Sequence, residues 1–115
     1  MSKLLEALSD YGVDMKTTLS RFVEDEELYA DCIHDFLWDE NFGLLESAME
    51  AKDYGASFHH AHTLKGVAAN LGLAPLHKAV SDLVEALRAQ EYRQAEERSA
   101  QVRAERDRLQ AVCGE

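Results

Sequence analysis

The chain is expected to be all-α, folding as an antiparallel four-helix bundle with short additional helices at the N-terminus. Three observations point there. No segment alternates apolar and polar residues with period two, so no strand is expected. Apolar residues recur instead at helical spacing, in several long runs. The breaks between runs are short and carry Asp, Gly or Pro, which suits antiparallel neighbours. With 115 residues the chain is long enough for one core and too short for two, so residues 1–115 are expected to form one domain.

The elements follow in order. Ser2 is a plausible N-cap for a short helix from Lys3 to about Ser9, which Gly12-Val13-Asp14 breaks. Asp14 can cap a second short helix from Met15 to about Val23. Asp25, Glu26 and Glu27 then place negative charge where a helix N-terminus favours it. The helix they open runs to about Asp39, with Leu28, Tyr29, Cys32, Ile33, Phe36 and Leu37 expected inward. Asn41 to about Lys52 reads as the next helix, with Phe42, Leu44, Leu45 and Met49 inward. Asp53 can cap a helix from Tyr54 to about Leu71, which Gly72 stops as a C′ glycine. Pro75 suits the first turn of a helix reaching about Gln90, with Leu76, Ala79, Val80, Leu83 and Leu87 on one stripe. From Glu91 to about Val112 the last helix is highly charged. Its apolar Ala95, Val102 and Leu109 lie one heptad apart, a narrow face that suits covering one side of a bundle.

Composition excludes several classes. The formal net charge is −10, from 22 acidic and 12 basic residues, so nucleic-acid backbones would be repelled. No apolar run approaches the roughly 20 residues that span a bilayer. The opening Met1-Ser2-Lys3-Leu4-Leu5-Glu6 reaches an acid too soon for a signal peptide. Cys32 and Cys113 form no CxxC pair, and two cysteines make neither a zinc cage nor a disulfide framework, which fits a reducing cytoplasm. The narrow, charged last helix gives no sign of a large dimer interface, so a monomer is expected.

The stretch Ala61-His62-Thr63-Leu64-Lys65-Gly66, followed by Asn70-Leu71-Gly72, carries the chemistry. At about 100° per residue, Ala61, Leu64, Ala68 and Leu71 cluster within roughly 80° and define the core face. His62 falls about 140° from that centre and Gly66 about 180° from it. Lys65 lies one turn beyond His62 toward one flank, and Ala69 lies two turns on, nearly in line with it. A mid-helix glycine costs about 1 kcal/mol relative to alanine. Glycine on an outer face helps neither packing nor helicity. A nucleophilic imidazole, a neighbouring cation and a bare backbone patch therefore suggest a place where another protein brings a phosphoryl group.

Other chemistries fit these residues less well. A merely solvated His62 leaves Gly66 unexplained. A metal site would use His59 and His62, three apart on one face, but His60 points nearer the core. No cysteine or carboxylate completes the set on that face, and Lys65 would oppose a divalent cation. No metal is therefore expected. His59 can instead disfavour the charged form of His62 by like-charge proximity. A hydrolase triad would need a nucleophile beside the histidine; Thr63 points about 100° away and no GxSxG is present. GxxxxGK[ST] is also missing, so the chain is not expected to use ATP or act as an enzyme.

These residues resemble the signature of histidine-containing phosphotransfer domains: alanine-histidine-x-leucine-lysine-glycine, then a glycine six positions after the first. Looser similarity lies in Gly12-Val13-Asp14, Arg21-Phe22, Glu27-Leu28-Tyr29 and Leu83-Val84-Glu85-Ala86-Leu87, so that the resemblance spans about Gly12 to Arg88. Val67 stands where the family commonly has a small or hydroxyl residue. The resemblance implies a four-helix bundle of the small, free-standing bacterial type. It implies that His62 accepts a phosphoryl group from a receiver-domain aspartate and passes it on, with Lys65 placing positive charge at the transferred oxygens. Gly66 would leave room for the partner, alongside His59 and Ala69 as docking positions, and Gly72 would end the helix. Partners would be response-regulator receiver domains or a hybrid histidine kinase. Mg²⁺ would come with the receiver, the chain having no cofactor of its own. The chemistry suits the residues: imidazole ordinarily titrates near pH 6.5, so much of it is neutral and nucleophilic in a cell. An interaction module that binds such partners without being phosphorylated is the alternative; the intact His62 and Lys65 speak against it.

Overall fold

A computed structural model describes residues 2–115; Met1, the first residue of the N-terminal stretch discussed above, lies outside them. Among the described residues there are seven helices and no strand. They are α1 (Lys3–Tyr11), α2 (Met15–Ser20), α3 (Glu26–Leu37), α4 (Glu40–Glu50), α5 (Tyr54–Asn70), α6 (Ala74–Arg88) and α7 (Tyr92–Val112). The bundle is built from α4 to α7, each packed on its sequence neighbour, with α7 returning to α4 to close the ring. Helices α1 to α3 pack around it, and side chains from all seven helices join one core.

The helix starts are local chemistry. Ser2, Asp14, Asp25 and Asp53 each accept from the backbone N–H three residues on, satisfying donors that a helix leaves unpaired. Asp39 caps α4 in the same spirit, accepting from the Asn41 N–H at 2.8 Å, so α4 begins one residue before the expected Asn41.

Several helix ends depart from expectation, most of them where no glycine marks the stop. Helices α4 and α6 stop at Glu50 and Arg88, two residues before the expected Lys52 and Gln90. Both of those residues instead adopt left-handed backbone, at φ 56° and 57°, and occupy the position after the cap. Helix α2 stops at Ser20 rather than Val23, because Val23 and Glu24 turn left-handed at φ 53° and 61°. Helix α3 likewise ends at Leu37, not Asp39, and α1 runs on to Tyr11.

Two inward assignments are corrected. Leu28 is 47% exposed and Leu44 is 42% exposed. The α3 stripe is Tyr29, Ile33, Phe36 and Leu37, and the α4 stripe is Phe42, Leu45, Ala48 and Met49; both leucines sit just off these stripes. Cys32 is half-buried against the core.

The narrow face of α7 closes the bundle. Ala95, Val102 and Leu109 are all buried, and polar groups supply what the stripe lacks. Arg106 donates from Nε and Nη2 to the Leu37 carbonyl at 3.2 and 2.9 Å, with its guanidinium 4.8 Å from the Phe42 ring centre. At one end of the bundle, Tyr54 and Tyr92 stack at 3.9 Å and tie together the starts of α5 and α7.

Candidate phosphotransfer face

Helix α5 positions the site, and its two ends are held differently. At the start, Asp53 Oδ1 accepts from the Ala56 N–H at 3.1 Å, and buried Ser57 donates to the Asp53 carbonyl at 2.8 Å. At the finish, Gly72 takes φ 72°, and the Leu73 and Gly72 N–H groups return to the Ala68 and Ala69 carbonyls at 3.0 and 3.1 Å. That is the paired closing pattern a left-handed residue allows after a helix.

Further hydrogen bonds to the terminal carbonyls come from the N-terminal part of the chain. The buried Tyr29 hydroxyl donates to the Leu71 carbonyl at 2.8 Å, and Arg21 Nη1 donates to the carbonyls of Ala69 and Asn70, both at 3.2 Å. An alanine Cβ at position 72 would collide with Thr18 Oγ1. Thus α2 and α3 buttress the C-terminal end of the site helix.

Between these ends the helix presents the face read from the wheel. Ala61, Leu64 and Ala68 are fully buried, with Leu71 at 2%. His59, His62, Gly66 and Ala69 are exposed, and Lys65 is half-buried on the flank. A Cβ added at Gly66 would meet no atom within 4 Å. Among the described residues Lys65 makes no ion pair, leaving its ammonium group free for an anion.

The three clustered histidines separate. His60 turns toward α4, with Nδ1 3.0 Å from Asn41 Oδ1, and its ring meets that of His59 edge-on at 5.4 Å. His62 lies beside Phe58, one turn earlier, with ring centres 5.9 Å apart. Thr63 donates to the His59 carbonyl at 3.1 Å, a helix-surface bond that leaves it no part in activating His62. Among the described residues no three His, Cys, Asp or Glu side chains gather as a metal-binding set.

The charge pattern adds what residue-by-residue reading missed. In a chain of net charge −10, no acidic residue occurs from Tyr54 to Leu71. The site helix carries three histidines and one lysine and no carboxylate on an acidic molecule, so an anionic phosphoryl group meets no acidic side chain of that helix. Phe58 and Thr18 were not singled out from the sequence, and Arg21 and Tyr29 were named there for motif similarity and burial, not for holding the end of the site helix. Arg21 and Tyr29 act through carbonyls far along the chain, which no local pattern reveals.

The chain matches the Hpt domain family over residues 37–112. It belongs to that family. Comparison with curated proteins and with solved structures returns no match. The family match begins at Leu37 and ends at Val112, so it covers α4 to α7, the four helices of the bundle. It thus extends through the charged last helix, beyond the expected limit at Arg88, and leaves the Gly12, Arg21 and Glu27 motifs outside. Hpt domains are phosphotransfer modules of phosphorelays, carriers rather than kinases, and they work with receiver domains and kinases of two-component systems. None of the described helices is long and apolar enough to cross a membrane.

Proposed function

We propose that His62 is the phospho-accepting residue of this Hpt domain, taking a phosphoryl group from a receiver-domain aspartate and passing it to another receiver. The observation that carries this reading is an exposed imidazole with open space one turn beyond it at Gly66 and only a methyl group two turns beyond it at Ala69. In the transfer, the lone pair of a neutral imidazole nitrogen forms the N–P bond. The P–O bond to the aspartate breaks, and its electron pair stays on the departing carboxylate. The proton on the other ring nitrogen remains there, so the product is a phosphoimidazolium.

Such a transfer depends mainly on in-line positioning and charge neutralisation. Lys65 is the group assigned to the phosphoryl oxygens, while His59, Gly66 and Ala69 form the surface that meets the receiver. Mg²⁺ is assigned to the receiver, because this face has no carboxylate cage to hold it. The chain would work as a monomeric, single-domain, stoichiometric carrier in the cytoplasm.

The test is labelling by a receiver phosphorylated at its aspartate. The wild-type chain should take up one label that is acid-labile and alkali-stable, and His62→Gln should take up none while keeping its helix content. Equal labelling of His62→Gln would move the accepting role to another residue. A wild-type chain that binds receivers tightly yet never carries the label would mark a docking module instead.

A further inference from the structure

Phe58 and His62 are one turn apart, and residues four apart on a helix lie over one another. Their rings are 26° from parallel at a centre separation of 5.9 Å. The two partners differ in how firmly they are held. Phe58 is half-buried and packs against the core, whereas His62 is exposed and makes no hydrogen bond among the described residues. Phe58 is held from α6 as well: the Arg88 guanidinium lies 5.6 Å from the centre of its ring. Arg88 in turn pairs with Glu85 on the helix surface, with Nη1 2.9 Å from Oε1. A chain of contacts thus runs from Glu85 through Arg88 and Phe58 to the imidazole.

An exposed imidazole on a bare helix would exchange rotamers on the ps–ns timescale and present either ring nitrogen. Phosphoryl transfer requires one nitrogen in line with the breaking bond. We propose that Phe58, braced by Arg88, is a positioning residue that backs the His62 imidazole and limits the incoming phosphoryl group to one ring nitrogen. The proposal rests on His62 being the accepting residue, and it assigns to Phe58 a role that its partial burial alone does not require.

The experiment compares wild type with Phe58→Leu and Phe58→Trp. Leucine keeps an apolar side chain against the core but removes the flat face; tryptophan keeps a flat face. The first probe is phosphoramidate, a small donor that needs no docking. The imidazole lone pair forms the N–P bond as the P–N bond of the donor breaks and ammonia leaves, the ring proton staying on the other nitrogen. Long-range ¹H–¹⁵N NMR then reports which His62 nitrogen carries phosphorus. Wild type and Phe58→Trp should give one isomer and Phe58→Leu a mixture. Transfer from a phosphorylated receiver should fall about ten-fold in Phe58→Leu, because only one orientation is productive. Circular dichroism and thermal melting of each variant separate this from a loss of fold. A folded Phe58→Leu with the wild-type isomer and wild-type transfer rate overturns the proposal. A wild-type chain that no phosphorylated receiver labels would sink the carrier reading alone, since the phosphoramidate isomer ratio still tests the ring placement.

Discussion

Gly66 and Gly72 lie on the same helix and its cap, yet the surroundings of one are the reverse of the other. At Gly66 an added Cβ would meet nothing within 4 Å, in ordinary helical backbone. At Gly72 the backbone is left-handed and Thr18 stands where a Cβ would go. The first glycine leaves space for something outside the molecule, and the second makes space for the molecule itself. A glycine in a site motif therefore has two separable meanings, which substitution can tell apart: stability should respond at position 72 and transfer at position 66.

The largest effect is expected at Gly72. Alanine there combines a left-handed conformation, about 1–2 kcal/mol unfavourable for a residue with Cβ, with overpacking against buried Thr18, about 1–3 kcal/mol. Urea denaturation of Gly72→Ala should show a loss of about 2–5 kcal/mol. Adding Thr18→Ala should recover the steric part only. If the double variant is no more stable than Gly72→Ala, the collision with Thr18 is not what makes glycine necessary.

At Gly66 the expected signs are opposite. Gly66→Ala should raise helix stability, by up to about 1 kcal/mol, because alanine is the better helix former and meets no neighbour. Gly66→Gln should keep the fold while slowing transfer from a phosphorylated receiver about ten-fold or more, by filling the space in line with His62. Quench-flow transfer kinetics beside a melting curve separate the two properties. Wild-type transfer by Gly66→Gln would break the contrast, leaving Gly66 without a role.

Much of this site could be read along one helix. The wheel for Tyr54–Leu71 needs only local geometry, and Ala61, Leu64, Ala68 and Leu71 are buried as it requires while His62, Gly66 and Ala69 face out. Capping was equally local, since an Asp three residues before an N–H acts through its own neighbours. What escaped was set by distant partners. Arg21 and Tyr29 reach carbonyls 42 to 49 residues away, and Arg106 reaches one 69 residues away. Leu28 and Leu44 were misplaced because an apolar side chain is not obliged to be inside, and each lies just beyond the stripe its helix buries. The late ends given to α4 and α6 have a third cause. Lys52 and Gln90 do the work of a C′ glycine without being glycine, so nothing in the sequence announces the stop.

Those two residues give the smallest prediction and the cleanest control for the comparison. Both hold a left-handed backbone at an exposed helix end, and both complete the same closing bonds as Gly72. Lys52 N–H bonds to the Met49 carbonyl at 3.0 Å, and Gln90 N–H bonds to the Leu87 carbonyl at 3.1 Å. Glycine should relieve the conformation while its extra unfolded-state freedom offsets part of the gain, leaving about 0.5–1 kcal/mol. Gln90→Gly should show this gain more fully than Lys52→Gly, which also gives up a 3.7 Å ion pair with Glu96 on an exposed surface, worth about 0–1 kcal/mol. Neither should alter transfer. If Gln90→Gly brings no stability in urea, left-handed backbone is not costly at these helix ends, and the requirement at position 72 reduces to the side chain of Thr18.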